Sequence, residues 1–310
     1  MRNQRSSTKI LKLLGFVFTT VVVIFIIFNQ FAKNELNKFQ LISPISDAVS
    51  FIAAPFKNDA LKNIVQDSLE GTKGSYGIFI KNLKTEEFYG LNEHKVYEPG
   101  SLYKIWVMAV VIDQIRNGKL KGDSVLSEDI KVLNDKFNIS SESAELTEGS
   151  IILTVNQALE QMITISHNYA SLLLAEKIKL SSVKAFLQRE GFNESTVGED
   201  GSSPTSTPYD IALFFEKLYK GKLANPQDTN KMLDLLKRQK LNNKLPKYLP
   251  PGVMVAHKTG EIDFFTHDGG IVYGPKSDYI IVVLSKSDLP AASEERIADI
   301  SKKVYDYFEN

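Results

Sequence analysis

The sequence predicts a mixed α/β (α+β) domain over residues 59–310, an antiparallel sheet flanked by helices and joined to an all-helical subdomain. Three observations predict it. Strand patterns stand near both ends of that span, and helical patterns fill its middle. The chain has 310 residues, 43% of them apolar and 24% charged, which is enough for a large core. Finally, the N-terminal and C-terminal strands are expected to share one sheet, leaving the middle to form the helical subdomain.

The elements follow in order. Residues 58–70 place apolar side chains at 61, 64, 65 and 69, a helical period. Residues 75–92 read as two strands, YGIFI and EEFYGL, with a turn between them. Pro99-Gly100 breaks the chain, and an apolar helix pattern then runs from Ser101 through Ile115 to end near Gly118. Residues 154–178 are mostly helical, with a polar interruption at 166–168. Residues 209–219 and 230–238 are further helices, and 254–256, 270–273 and 279–284 are strands. An amphipathic helix over 293–308 closes the chain.

Charge and composition exclude several functions. Lys plus Arg total 37 and Asp plus Glu total 37, and no basic stretch is interleaved with aromatic residues, so nucleic-acid binding is not expected. The absence of cysteine removes disulfides, a thiol nucleophile and thiolate metal sites. His94, His167, His257 and His267 are not spaced as helical metal ligands and form no H-E-x-x-H, so neither a metal nor a cofactor is expected.

The N-terminus points to a membrane. Residues 13–28 (LLGFVFTTVVVIFIIF) carry no charge, and extension to Ala32 brings the run to the roughly 20 residues that span a bilayer. Arg2, Arg5, Lys9 and Lys12 precede it, whereas Lys33, Glu35 and Lys38 follow as a mixed group. The positive-inside bias makes 1–12 a cytoplasmic tail, 13–32 a single-pass anchor in the cell membrane, 33–58 a linker and the rest extracytoplasmic. A cleaved signal peptide is the competing reading. It would want small residues just past the apolar run, where the sequence has Asn29-Gln30-Phe31-Ala32-Lys33.

Three short motifs carry chemistry. Ser101-Leu102-Tyr103-Lys104 opens the apolar helix. Residues i and i+3 share a helix face, so the Lys104 amine can approach the Ser101 hydroxyl. Serine needs an adjacent base to become a nucleophile, and a lysine in an apolar setting can lose its proton and be that base. Two other S-x-x-K strings, at Ser6 and Ser181, do not open an apolar helix after a Pro-Gly break. Ser166-His167-Asn168 interrupts an apolar helical stretch, where a helix cap is the plain alternative to a functional role. Lys258-Thr259-Gly260 lies on or beside a strand (VMVAHKTG). On an edge strand these residues could hold a carboxylate and align a peptide-like backbone; a strand-end turn is the alternative.

The order S-x-x-K, S-x-N, K-T-G, set on a helix start, a loop between helices and an inner strand, resembles the serine β-lactamase and penicillin-binding protein (DD-peptidase) superfamily, closest to class A β-lactamases. The likeness extends to TVNQALEQMITISHNYASLLLAEKI, TSTPYDIALFFEKL and HKTGEIDFFTHDGGIVY, and covers roughly residues 59–310. It implies a cleft between a helical lobe and the sheet. It makes Ser101 the acylated nucleophile, Lys104 a proton acceptor and Ser166 a proton relay to the leaving nitrogen. Asn168 would contact the substrate's side-chain amide, Lys258 and Thr259 would bind its carboxylate, and Gly260 belongs to the same substrate-binding strand. The N–H groups of Ser101 and Glu261 would form an oxyanion hole, each donor worth about 3 kcal/mol in the transition state.

Two departures stand out. His167 replaces the usual aspartate of S-D-N, a position where penicillin-binding proteins vary. Class A enzymes also carry an E-x-x-L-N whose glutamate activates the deacylating water. The stretch EGFNESTVGEDGSSP (190–204) has none, and Glu194, Glu199 and Asp200 are substitutes without a defensible spacing. The resemblance therefore implies a β-lactamase-like hydrolase acting on a β-lactam. The alternatives are a D-alanyl-D-alanine peptidase or transpeptidase acting on peptidoglycan stem peptides, and a penicillin or cell-wall sensor that binds or is acylated without turnover.

Overall fold

The computed structural model describes residues 59–198 and 202–310. The expected tail, anchor and linker (1–58), together with Glu199 and Asp200, lie outside the described residues. Among the described residues no helix is long and apolar enough to cross a membrane.

Helix α1 (Asp59–Leu69) leads into β1 (Ser75–Asn82) and β2 (Phe88–Leu91). After a 3-10 turn (Gly100–Tyr103) come α2 (Lys104–Arg116), β3 (Val125–Asp129), α3 (Ile130–Lys136) and β4 (Ser150–Thr154). Helices α4 (Val155–Thr164), α5 (Asn168–Ile178), α6 (Leu180–Glu190), α7 (Pro208–Tyr219) and α8 (Pro226–Lys237) complete the middle of the chain. Strands β5 (Met254–Ile262), β6 (Phe265–Tyr273) and β7 (Asp278–Lys286) and helix α9 (Pro290–Glu309) close it.

As expected, strands from the two ends meet. The antiparallel five-stranded sheet has the order β2-β1-β7-β6-β5, with Ile78 opposite Val283 where the halves join. One face packs Ile78, Ile80, Ile281 and Val283 against Leu61 and Val65 of α1 and Ile297, Ile300 and Val304 of α9. The other face meets α7, where Phe79 sits edge-on to Tyr209 at 6.2 Å and Gly269 leaves room for Ile211. With both faces covered, β7 is apolar at nearly every position from Tyr279 to Leu284. Helix α2 runs through the protein interior: every residue from Lys104 to Ile112 is buried, which is why its sequence shows no polar face.

Three expectations are corrected. The K-T-G strand, which the resemblance made an inner strand, is an edge strand: among the described residues nothing pairs with β5 opposite β6. Strands β5, β6 and β7 run longer than expected, since the buried polar residues Lys258 and Thr259 continue β5, Thr266, His267 and Asp268 belong to β6, and Ser285 continues β7. The β3–β4 ribbon, α3 and α6 were not anticipated. The ribbon leaves Val125 and Ile152 exposed, and α6 buries only Val183, Phe186 and Leu187, so neither has a strong apolar period.

The turn before α2 presses on β5 backbone to backbone. A Cβ on Gly260 would lie 2.3 Å from the Pro99 carbonyl oxygen, and one on Gly100 would lie 2.7 Å from the Glu261 nitrogen. Gly100 also takes φ +49°, a left-handed conformation that glycine adopts without strain. Gly260→Ala must push these backbones apart. Urea unfolding is expected to show a loss of about 1–3 kcal/mol; a change under about 0.5 kcal/mol would mean that the contact is slack.

Candidate active site

The segment that leads to Ser101 is held from behind. The buried His267 ring donates from Nε2 to the Glu98 carbonyl oxygen (2.8 Å) and accepts at Nδ1 from the Ser285 N–H (3.0 Å). Burial pushes its pKa down to about 4, so a neutral ring serves both partners. Ser101 follows in the 3-10 turn, partly exposed, with its backbone beside Glu261 of β5.

Lys104, at the start of α2, is 1% exposed. Its Nζ donates to the Ser166 carbonyl oxygen at 2.7 Å and to Asn168 Oδ1 at 2.6 Å, and lies 3.3 Å from Ser166 Oγ. From β5, the buried Lys258 Nζ reaches the same Ser166 Oγ at 2.9 Å. One hydroxyl therefore sits between two amines. Burial holds Lys104 well below the usual lysine range, and the nearby Lys258 charge adds to this while Glu145 opposes it. Burial also pushes Lys258 down to about 7, against the pull of Asp268. A neutral amine has two N–H donors and one lone pair. Those of Lys104 match two oxygen acceptors and one hydroxyl.

Ser166 takes φ +59°, uncommon for a residue with a side chain. That conformation lets both its carbonyl and its hydroxyl meet Lys104. The helix cap that the sequence allowed is present, but His167 supplies it: its Nδ1 accepts from the Ala170 N–H (3.2 Å) at the start of α5. Burial lowers the His167 pKa, and an imidazole without its proton is the form that can accept there.

The structure thus gathers Lys104, Ser166, Asn168 and Lys258 by direct hydrogen bonds, and Gly260 and Glu261 by contact with the turn that carries Ser101. Lys104 forms no hydrogen bond to Ser101 in this arrangement; its partners are Ser166 and Asn168. Thr259 is buried beside them, and its carbonyl oxygen accepts from Lys258 at 2.9 Å. Glu194 is engaged elsewhere, with His94 Nδ1 at 2.9 Å and the Thr207 hydroxyl at 2.7 Å. A separate surface hollow lined by Leu83, Lys84, Tyr219 and Asp278 contains no motif residue.

Sequence reasoning missed four residues around the site. Glu145 accepts from Asn168 Nδ2 at 2.5 Å. Lys244, fully buried, pairs with the Glu261 carboxylate. Behind Lys258, His257 Nδ1 meets Asp268 at 2.9 Å, and Asp268 also accepts from the Leu245 N–H at 3.1 Å. Only the HKTG and HDGG strings hinted at the last pair; Glu145 and Lys244 lie in polar stretches without a period.

Comparison with known proteins places the chain in a family. Residues 59–308 match the β-lactamase enzyme family. No curated protein matches the sequence. Among solved structures, PBP-A superposes with a TM-score of 0.71 at 22% identity over 81% of this chain and 96% of that one. A β-lactamase from Sphaerobacter thermophilus gives 0.70 at 22% identity over 81% and 97%. An acyl-enzyme complex of a PBP-A mutant with penicillin G gives 0.68 at 21% identity over 81% and 96%. At these identities the superpositions establish the fold. With the family match spanning nearly all of the described residues, this chain belongs to the β-lactamase enzyme family and is a β-lactamase-like serine hydrolase.

Proposed function

We propose that the chain is a membrane-anchored, extracytoplasmic hydrolase that opens the β-lactam amide through an acyl-enzyme on Ser101. The observation that carries this reading is the Ser166 hydroxyl set between the Lys104 and Lys258 amines, with Lys104 three residues after Ser101 where α2 begins. Neutral Lys104 takes the Ser101 proton as Oγ attacks the amide carbonyl. The oxyanion is received by the N–H groups of Ser101 and Glu261. When the C–N bond breaks, Ser166 gives its proton to the leaving nitrogen and is refilled from Lys104. Water then adds to the ester carbonyl and frees Ser101. Lys258 and Thr259 hold the substrate carboxylate, and Asn168 its side-chain amide. The apolar run at 13–32 would keep the domain at the outer face of the cell membrane.

A second reading, a D-alanyl-D-alanine peptidase or transpeptidase on stem peptides, is favoured by one observation. Glu194, the described carboxylate of the 190–204 loop that the sequence singled out, is tied to His94 and Thr207 and not to a motif residue. Acylation then has its machinery, while deacylation has no assigned base.

Labelled penicillin is expected to attach covalently to the wild-type chain. Labelling should vanish in Ser101→Ala and slow at least about 100-fold in Lys104→Ala. Equal labelling of the alanine variant at 101 would end the proposal. The adduct's lifetime separates the two readings: release within seconds with opened product marks a β-lactamase, and persistence for hours a peptidase.

The pH dependence follows from the two lysines. Acylation needs Lys104 neutral and Lys258 charged, so its second-order rate falls on the acid side as Lys104 gains a proton. It falls on the alkaline side as Lys258 loses one, near pH 7 in the free protein. Because the amines interact, the limbs belong to the pair. Lys258→Arg, whose cation does not titrate, should move the alkaline limb upward. An unmoved limb would show that Lys258 does not set it.

A further inference from the structure

Tyr103 stands between Leu102 and Lys104 in the turn that opens α2, and nothing in the proposed chemistry uses it. Its hydroxyl lies 2.7 Å from Ser171 Oγ on α5, a contact that spans 68 positions of the chain. Ser171 is fully buried, and burial pushes the Tyr103 phenol up, so the pair is two neutral hydroxyls. Ser171 stands three residues after Asn168, on the same face of α5. Lys104, the residue after Tyr103, donates to Asn168 Oδ1 at 2.6 Å. Two bonds therefore run side by side from the start of α2 to the start of α5, one from an amine and one between hydroxyls.

The proposed reaction treats the two bonds differently. As a neutral amine, Lys104 has two N–H donors and one lone pair; as an ammonium it has three donors and no acceptor. Taking the Ser101 proton and passing it to Ser166 therefore changes which atoms Lys104 can hold. Lys258, which meets the same Ser166 hydroxyl at 2.9 Å, is itself an amine that titrates near pH 7 in the free protein. A lysine that changes its hydrogen-bonding capacity is a poor spacer between two elements. The bond from Tyr103 to Ser171 takes no part in the proton transfers, and it makes the same demand before and after each of them.

We propose that Tyr103 and Ser171 are a positioning pair, whose hydrogen bond keeps the turn bearing Ser101 and Lys104 at a fixed distance from the Ser166–Asn168 loop while protons move between them. This rests on the acyl-enzyme reading above. In that reading neither residue touches the substrate, and both act through Lys104 and Ser166. The bond therefore serves the acylation step and matters little to the binding that precedes it.

The test treats the full-length chain with labelled penicillin over a range of concentrations, which separates the saturating acylation rate from the apparent dissociation constant. Rates are referred to the sites labelled at the end point, and thermal melting is followed in parallel. Tyr103→Phe and Ser171→Ala each delete one hydroxyl. Each is expected to lower the saturating rate about tenfold and to leave the dissociation constant within about twofold of wild type. The double variant should stay within about twofold of the slower single one, because both changes remove the same bond. Lower melting temperatures with an unchanged rate, or a loss confined to the dissociation constant, overturn the proposal. Single effects that multiply in the double variant overturn it as well. Each of these results leaves the acyl-enzyme reading intact, since labelling persists. If wild type is not labelled, or Ser101→Ala labels equally well, that reading falls and this inference falls with it.

Discussion

Two stretches of main chain, residues 99–102 before α2 and residues 260–261 of β5, approach one another more closely than any intervening side chain would allow. Glycine stands on both sides of that contact, and each would collide if given a Cβ. The sheet behind is packed on both faces and cannot yield cheaply. The turn that carries Ser101 thus inherits the rigidity of the sheet, and His267 adds a second tie through the Glu98 carbonyl. Without this contact the nucleophile would ride on a loop. With it, the Ser101 backbone and the neighbouring Glu261 N–H are fixed parts of the core.

The second requirement is electrostatic. Two lysines placed near one hydroxyl would ordinarily repel each other and stay hydrated. Here α2 is buried from Lys104 to Ile112 and Lys258 is buried on β5, so burial makes it costly for both amines to be charged. The strained Ser166 backbone turns carbonyl and hydroxyl toward the same amine, an arrangement that a relaxed helix would not offer. Strain and burial therefore act on the same few atoms.

Much of this was legible in the residues themselves. The S-x-x-K helix start could be read because a Pro-Gly break before an apolar run marks both a helix N-terminus and a buried one. The S-x-N loop could be read because polar residues interrupt an apolar pattern. Sheet order could not. The lysine, threonine and glycine that make β5 useful also erase its strand period, and edge position is decided by pairing partners far along the chain. Glu145 was invisible for another reason: it reaches the site through a hydrogen bond across the 23 positions to Asn168. No local pattern encodes such a contact. The left-handed Ser166 was equally hidden, since a non-glycine residue carries no mark of positive φ.

The imidazole at the head of α5 has a consequence for life in acid surroundings. His167 accepts from the Ala170 N–H only while its ring lacks the second proton, and burial holds its pKa below the ordinary 6.5. The unfolded chain takes up that proton first, so the cap's contribution is complete above about pH 6.5 and is lost as pH falls through the lower folded value. Protonation would also place a cation at the positive end of a helix dipole. Acidification of the medium therefore loosens this loop, an acid sensitivity that an aspartate at this position would defer to the carboxylate range.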